Sequence, residues 1–158
     1  MDEEDEMERG MRKLYETPVK DSRTVVLWVS RHRPLKAQID ELERKLGPIV
    51  VYQLSGVIPS AEFVVERAEG LGAKYVVPVL PLSFTARVVE LAKAKGFEVL
   101  IARMRSVAVV KGLEEAERVV KERPDRRTMA THADGTARVF EFERFERLLR
   151  VELVTEPF

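Results

Sequence analysis

The tripeptide Ser30-Arg31-His32 places a hydroxyl, a guanidinium and an imidazole within three residues, directly after an apolar run. An imidazole gives or takes a proton near neutral pH, and a positioned histidine typically contributes a factor of ~10²–10⁴ to a rate. The sequence therefore predicts His32 and Ser30 as catalytic candidates, with a neutral hydrogen-bonding histidine as the alternative. The second histidine, His132, is expected to be an exposed strand residue.

Further cations and hydroxyls follow the other predicted strands. In an open parallel sheet, ligands bind beyond the carboxyl ends of the strands, where helix N-termini also point. Hydroxyls and guanidinium groups along such an edge favour a phosphate or phosphodiester. The ligand-binding candidates are Arg31, Arg33, Lys36, Ser55, Gly56, Ser83, Arg103, Arg105 and Ser106. The alternative is that the serines cap helices, which is the favoured interpretation for Ser60 and Ser83, and that the arginines lie on an exposed rim.

Several kinds of site are excluded by residue type or spacing. The chain has neither G-x-G-x-x-G after its first strand nor G-x-x-x-x-G-K-[ST], which argues against dinucleotide-binding and P-loop enzymes. It has no cysteine and two distant histidines, which excludes a disulfide scaffold and argues against a zinc site. The acidic pair Glu114-Glu115 falls on a predicted helix surface, so a two-metal nuclease lacks its carboxylates. No metal and no cofactor are expected.

The elements that must position these side chains alternate between strand and helix from about residue 24 to residue 123. Apolar β-branched runs predict strands at residues 24–30, 49–54, 74–80 and 97–102, with a short fifth strand at 106–110. Apolar stripes with helical spacing lie at residues 35–46, 61–71, 84–92 and 113–120. This order predicts an α/β fold, specifically a Rossmann-like three-layer sandwich with a mainly parallel sheet and right-handed crossovers.

The two ends of the chain depart from this alternation. Residues 127–132 and 136–142 are predicted to form antiparallel strands joined by an Asp134-Gly135 turn, followed by a last β-like run at 148–155. An exposed edge there is a candidate for dimerisation. Met7, Met11, Leu14 and Tyr15 fit a short amphipathic helix, with an acidic disordered tail as the alternative. The predicted organisation is therefore a tail or helix over 1–22 and one α/β domain over 23–158, with a β-hairpin extension from 124.

Charge is distributed unevenly along the 158 residues. The chain has 27 basic and 27 acidic residues, but six of the acidic ones precede Arg9. The chain from Arg9 onward is therefore basic, which favours an anionic partner. The alternative is an ordinary solvated surface with an acidic tail that only keeps the chain soluble. No apolar run reaches the ~20 residues of a membrane span and the start is unlike a signal peptide, so a soluble, cytoplasmic protein is expected. Asparagine is absent and only two glutamines occur, which is typical of a thermophilic source.

Val29-Ser30-Arg31-His32, followed by a helix and later by Val79-Leu80-Pro81-Leu82, resembles the small CRISPR-associated Rossmann-like proteins. Some of these are regarded as ring nucleases or as relatives of the CARF domains that bind cyclic oligoadenylate. The resemblance covers about residues 25–102, and Arg33-Pro34 departs from the Pro-Gly or similar turn expected in relatives.

The resemblance implies metal-independent cleavage, in which the substrate's own 2′-hydroxyl attacks the adjacent phosphate. Arg31 and Lys36 would hold phosphate, Ser30 would donate a hydrogen bond, and His32 would orient the nucleophile or move a proton. Because such ligands are two-fold symmetric, the resemblance also implies a homodimer.

Two other classes of function stay open. A non-enzymatic regulatory module would recognise a nucleotide or a nucleic-acid backbone through the same basic edge, without turnover and with a steep salt dependence. Its basic loops offer few aromatic rings for base stacking, since Phe84 is expected in the core and Trp28 inside a strand. In a structural homodimer, replacing Arg31 and His32 would change nothing measurable.

Overall fold

The computed structural model describes residues 10–20 and 22–158, which form seven strands and four helices. The strands are β1 (Met11–Glu16), β2 (Thr24–Val29), β3 (Ile49–Leu54), β4 (Tyr75–Pro78), β5 (Glu98–Val110), β6 (Arg127–Thr131) and β7 (Ala137–Leu148). The helices are α1 (Lys36–Leu46), α2 (Ala61–Leu71), α3 (Leu82–Lys95) and α4 (Leu113–Glu122). The strand order β1-β3-β2-β4-β5-β7-β6 gives a mixed sheet. The α/β class predicted from the alternating pattern is confirmed.

The chain divides into two compact units, whereas the sequence predicts one domain from residue 23. Unit 1 comprises Met1–Arg33, Leu46–Ile101 and Arg147–Phe158, and unit 2 comprises Pro34–Lys45 and Ala102–Glu146. Among the described helices, none combines the length and the apolar character that crossing a bilayer requires.

Unit 1 is built on parallel strands. Val29 at the end of β2 lies opposite Leu54 of β3 on one side and Pro78 of β4 on the other. The chain passes from β2 to β3 on one side and only later reaches β4 on the other side. The carboxyl ends of β2 and β4 therefore flank a topological switch point, where open α/β sheets bind their ligands.

The buried core of unit 1 explains why its apolar segments form strands and helices. Leu27 and Val29 are fully buried, and Val64 of α2 and Val88 of α3 pack into the same cluster. Strands buried on both faces are continuously apolar, which is the pattern that predicted them. As expected, Ser60 caps α2, because its Oγ accepts a hydrogen bond from the Phe63 N–H at 3.1 Å.

Unit 2 contains the predicted β-hairpin. β6 and β7 pair antiparallel, with Thr131 opposite Ala137, and Gly135 in the connecting turn has φ +87°. His132 lies exposed in this turn, just after β6. A small core joins the hairpin to α4 through Ala116, Ala137 and Val139. The antiparallel C-terminal strands are therefore confirmed.

Two predictions at the ends of the chain are wrong. Met11, Leu14 and Tyr15 lie in β1, which pairs antiparallel with β3, and not in a helix. A β-bulge between Lys13 and Tyr15 interrupts the two-residue alternation and leaves apolar residues at a spacing that imitates a helix. Met7 and the rest of residues 1–9 lie outside the described residues. The β-like run predicted at 148–155 is absent, because β7 ends at Leu148 and residues 149–158 form no regular element.

A third prediction fails in the middle of the chain. The sequence suggests a strand ending at Ala102 and a short fifth strand from Ser106. β5 instead continues without interruption from Glu98 to Val110. Arg103, Arg105 and Ser106 therefore lie inside a strand and do not follow the carboxyl end of one.

Candidate functional site

The loop that follows β2, residues 30–33, is fixed by hydrogen bonds to its own backbone. The Ser30 N–H donates to the Leu54 carbonyl at 3.2 Å. The Ser30 Oγ accepts from the His32 N–H at 3.0 Å, and the Trp28 Nε1–H donates to the His32 carbonyl at 3.2 Å. The Gln53 Nε2 donates to the Ser30 carbonyl at 2.9 Å. Four bonds therefore hold a four-residue loop, which we call the Arg-His-Arg loop.

Two of these donors come from the strands themselves. Trp28 of β2 and Gln53 of β3 are partners across the parallel ladder, and both side chains are buried. Buried polar groups need a hydrogen-bond partner, and here the partners are the carbonyl groups of the loop. Sequence reasoning missed both residues. The signal in the sequence is Gln53, the one amide side chain in the apolar run of β3. A buried amide needs a hydrogen-bond partner, which here must lie near the end of that strand.

The fixed loop presents its charged side chains to solvent. Arg31, His32 and Arg33 are exposed, whereas Ser30 is buried. Within residues 10–20 and 22–158, no carboxylate pairs with Arg31 or Arg33. Because the backbone of this loop is already ordered, binding an anion requires only the two arginine side chains to become ordered.

The start of α3 lies beside this loop. The Val79 N–H donates to the Val29 carbonyl at 2.8 Å, which joins the segment after β4 to the end of β2. Pro81 occupies the N-cap of α3 and makes no side-chain capping bond. The first N–H groups of a helix have no acceptor within it and carry a partial positive charge. The favoured interpretation of Ser83 as a helix cap is wrong, because Ser83 is the second residue of the helix and is exposed.

Exposed apolar side chains occupy the same edge of unit 1. Val79 and Leu82 after β4 are 54% and 69% exposed, and Val57 after β3 is 87% exposed. Ser55 and Gly56, two of the predicted site residues, are also exposed there. Apolar groups beside unpaired cations suit a ligand that joins a negative charge to an apolar or aromatic moiety.

The remaining predicted site residues belong to unit 2, where the three cations among them pair with carboxylates. Lys36 is the first residue of α1, and its Nζ lies 2.8 Å from the Asp40 carboxylate. Arg103 pairs with Glu146 of β7 at 3.3 Å. Ser106 is exposed within β5. The structure therefore brings together Ser30, Arg31, His32, Arg33, Ser55, Gly56 and Ser83 at the strand ends of unit 1, and it assigns Lys36, Arg103, Arg105 and Ser106 to the other unit.

Arg105 belongs to an ion-pair cluster around Glu141, whose side chain is only 6% exposed. We call it the Glu141 cluster. Arg105, Arg127 and Arg123 reach this carboxylate at 2.8, 3.1 and 3.4 Å. The hydrogen bond from Arg105 lowers the pKa of Glu141; burial opposes this effect and Arg127 adds to it. These arginines neutralise a buried acid, so their structural context differs from that of Arg31 and Arg33.

No metal centre is evident among the described residues, in which no three His, Asp or Glu side chains are placed to hold an ion. Comparison of the chain with protein-family models, with curated proteins and with solved structures gives no match. The resemblance to CRISPR-associated proteins therefore stays a prediction.

Proposed function

We propose that unit 1 binds a phosphate-containing, nucleotide-type ligand at the carboxyl ends of β2 and β4. The observation that carries this proposal is the Arg-His-Arg loop, whose backbone is fixed by four hydrogen bonds while Arg31 and Arg33 lack a described carboxylate partner. The N-terminus of α3 supplies further N–H donors for the same anion. Phosphate oxygens match both kinds of donor.

Cyclic oligoadenylate is the ligand that we propose within this class. Its phosphates suit the two guanidinium groups, and its adenine rings suit the exposed surfaces of Val79 and Leu82. Because such a ring is two-fold symmetric, we expect two copies of the chain to share one ligand. Light scattering with and without cyclic tetra-adenylate measures that stoichiometry.

Cleavage of the ring is the second candidate function, and the position of His32 favours it. His32 is exposed between the two arginines on a fixed backbone. In the proposed step the 2′-oxygen attacks the adjacent phosphorus and the bond from phosphorus to the 5′-oxygen breaks. The proton leaves the 2′-hydroxyl and the 5′-oxygen gains one, which gives a 2′,3′-cyclic phosphate and a 5′-hydroxyl. His32 would move that proton, and Ser30 would act as a positioning residue through its bond to the His32 N–H.

We also propose that the sheet and its helices form the Rossmann-like three-layer sandwich predicted from the sequence. The connection after β2 runs one way along the strand order, and the connections after β3 and β4 run the other way. Right-handed crossovers in opposite directions place their helices on opposite faces of a sheet, which is the basis of a Rossmann-like three-layer arrangement.

The binding test compares two double variants that remove the same charge. Arg31→Gln with Arg33→Gln changes the Arg-His-Arg loop, and Arg118→Gln with Arg138→Gln changes exposed arginines of unit 2. Calorimetric titration with cyclic tetra-adenylate should show an affinity loss of about 30-fold for the first variant, because charge-assisted hydrogen bonds are lost. The second variant should change affinity by less than about twofold, since screened charges act weakly at a distance.

Three other results would redirect the proposal. Equal losses in both double variants would mean that only net charge attracts the ligand. Tighter binding of single-stranded RNA than of cyclic tetra-adenylate, with a steep salt dependence, would favour the nucleic-acid module. Binding without any linear product over hours, unaffected by His32→Gln, would exclude the cleavage step while leaving ligand binding in place.

A further inference from the structure

The two strands that end the sheet differ in how their outer edges are protected. β1 and β6 stand at opposite ends of the strand order. β1 carries the exposed charges of Arg12, Lys13 and Glu16 and a bulge in its register. β6 pairs with β7 at five consecutive positions without a bulge, and its sequence contains no proline. Charges, prolines and bulges are the features that keep strand edges from pairing with other chains, so β6 is the less protected edge.

The backbone of β6 alternates between groups that bond to β7 and groups that point away from the sheet. The Phe142 N–H donates to the Arg126 carbonyl at 2.8 Å, and the His132 N–H donates to the Thr136 carbonyl at 2.8 Å. Hydrogen-bonded and non-hydrogen-bonded pairs alternate along an antiparallel ladder. The even-numbered positions of β6 therefore bond to β7, and the odd-numbered positions turn their N–H and C=O groups outward.

Most of these outward groups have no partner. The Arg127 N–H donates to the Arg123 carbonyl at 3.0 Å, just before the strand. In the described part of the chain, the N–H groups of Met129 and Thr131 meet no acceptor. Thr128, Ala130 and Thr131 are exposed, so the edge is open to solvent at these positions.

The charge on β6 does not oppose a second strand. Arg127 is the one charged residue of the strand, and its guanidinium lies 3.1 Å from Glu141 and 2.9 Å from Glu122. The other four residues are uncharged and carry small or apolar side chains. An identical strand can therefore approach without repulsion between like charges.

We propose that β6 is a homodimer interface, in which it pairs antiparallel with β6 of a second copy about a two-fold axis at Met129. In this register the Met129 N–H donates to the Met129 carbonyl of the second copy, and the Thr131 N–H donates to the second copy's Arg127 carbonyl. Both hydrogen bonds occur twice, so every free N–H group of the two edges gains an acceptor.

The side chains fit the same register. Arg127 of one copy falls opposite Thr131 of the other, so no like charges face each other, and Thr128 falls opposite Ala130, which are both small. Five residues on each side make a contact below the ~800 Å² per partner of a stable complex, so we expect a dissociation constant on the order of 10–100 μM. The dimer needs no ligand, and this inference is independent of the proposed function.

Sedimentation equilibrium of the full chain without nucleotide tests the interface. Thr131→Pro removes an N–H that the β6–β7 ladder does not use, and should weaken the dimer by about tenfold or more, because two of its four hydrogen bonds are lost. The matched control is Thr131→Val, which keeps the N–H and the branched shape and should change the dissociation constant by less than about threefold. Circular dichroism of each variant checks that the monomer is folded.

Cysteine cross-linking tests the register without proline. The chain contains no cysteine, so Thr128→Cys and Ala130→Cys each provide one thiol, in separate chains and at exposed positions. Pairing about Met129 places position 128 opposite position 130 of the other copy, with Cα atoms about 4.5 Å apart, which suits a disulfide. Oxidation of an equal mixture of the two chains should give a covalent dimer. Each chain alone should give little, because identical positions lie about 7–8 Å apart or on separate diagonals of the ladder.

The possible results separate this inference from the proposed function. A chain that stays monomeric up to about 1 mM and gives no covalent dimer overturns the interface. A dimer that Thr131→Pro leaves intact lies on another surface and overturns it as well. Rapid cross-linking of Ala130→Cys alone overturns the register about Met129. Cross-linking of the mixture without any binding of cyclic tetra-adenylate supports this inference and overturns the proposed ligand, whereas ligand binding without cross-linking does the reverse.

Discussion

Two arginine-rich regions of this protein differ in what surrounds their guanidinium groups. In the Glu141 cluster, three arginines converge on one carboxylate that is almost fully buried. In the Arg-His-Arg loop, two exposed arginines stand on a fixed backbone without a carboxylate among the described residues.

The comparison teaches that the partner of an arginine indicates its role better than its place in the sequence does. Arg105 and Arg31 were equivalent candidates when only residue types were known. Arg105 contacts Glu141 and Glu143 and so stabilises unit 2. Among the described residues Arg31 has no comparable ion pair, so its charge is available to a ligand.

The largest expected effect is the loss of stability in Glu141→Gln. Removing the charge leaves three guanidinium groups facing one another around a buried amide. We expect the free energy of unfolding to fall by about 2 kcal/mol, below the range for fully enclosed pairs because Arg105 and Arg123 are both 59% exposed. Urea unfolding measures this change. Glu146→Gln is the control, since its 36%-exposed carboxylate should cost about 0.5 kcal/mol or less. Equal effects would show that the cluster has no special weight.

Low pH should abolish the difference in unfolding free energy between the natural chain and Glu141→Gln. The pKa of Glu141 is lowered from 4.5, first by the hydrogen bond from Arg105. A carboxyl group with a lower pKa in the folded state contributes its full stability above its unfolded pKa, and loses it as the pH falls through the folded value. The stability gap between the natural chain and Glu141→Gln should therefore be constant above about pH 5.5 and narrow below pH 4.5. A gap that stays constant down to pH 2 would contradict this assignment.

Gln53→Met should weaken both stability and binding. It removes the amide that donates to the Ser30 carbonyl and leaves that carbonyl with one bond fewer. We expect a cost of about 1–2 kcal/mol in unfolding free energy. Gln38→Met is the matched control, because Gln38 is another buried amide and its Oε1 accepts from the Leu35 N–H at 2.7 Å in unit 2. Both variants should unfold more easily, but only Gln53→Met should lower affinity for cyclic tetra-adenylate.

The smallest expected effect on stability belongs to the Arg-His-Arg loop. Arg31→Gln with Arg33→Gln should leave the unfolding free energy unchanged within about 0.5 kcal/mol, because both side chains are exposed and have no carboxylate partner in the described part of the chain. Thermal unfolding without ligand checks this. A loss as large as that of Glu141→Gln would mean that both regions are structural, and the contrast between them would disappear.

The sequence predicted the parts of the fold that depend on local pattern. β3 was placed at residues 49–54, and the Ser60 cap was assigned correctly, because apolar runs and capping residues act over a few neighbours. The sequence predicts two strands in place of β5, because the charged residues Arg103 and Arg105 are typical of a loop. Their partners on β7, Glu146 and Glu141, lie more than 35 residues further along the chain.

The candidate site was predicted in part for the same reason. The charged tripeptide after β2 is visible in the sequence, and its position at a strand end is confirmed. The pairing of Trp28 with Gln53 depends on the β2–β3 register, so the bonds that fix the loop could not be predicted. The buried Glu141 was also missed, because the three arginines that donate hydrogen bonds to it come from separate parts of the chain.

The bulged strand β1 has a consequence for the behaviour of shortened chains. β3 is an apolar strand, with Ile49, Val50 and Val51 buried, and β1 covers its outer side. β1 itself ends the sheet with exposed Arg12, Lys13 and Glu16 and an irregular register, features that prevent strands of different molecules from joining. We therefore expect a chain truncated beyond residue 17 to expose the valine-rich edge of β3 and to aggregate. Deletions that end before Gly10 leave β1 in place.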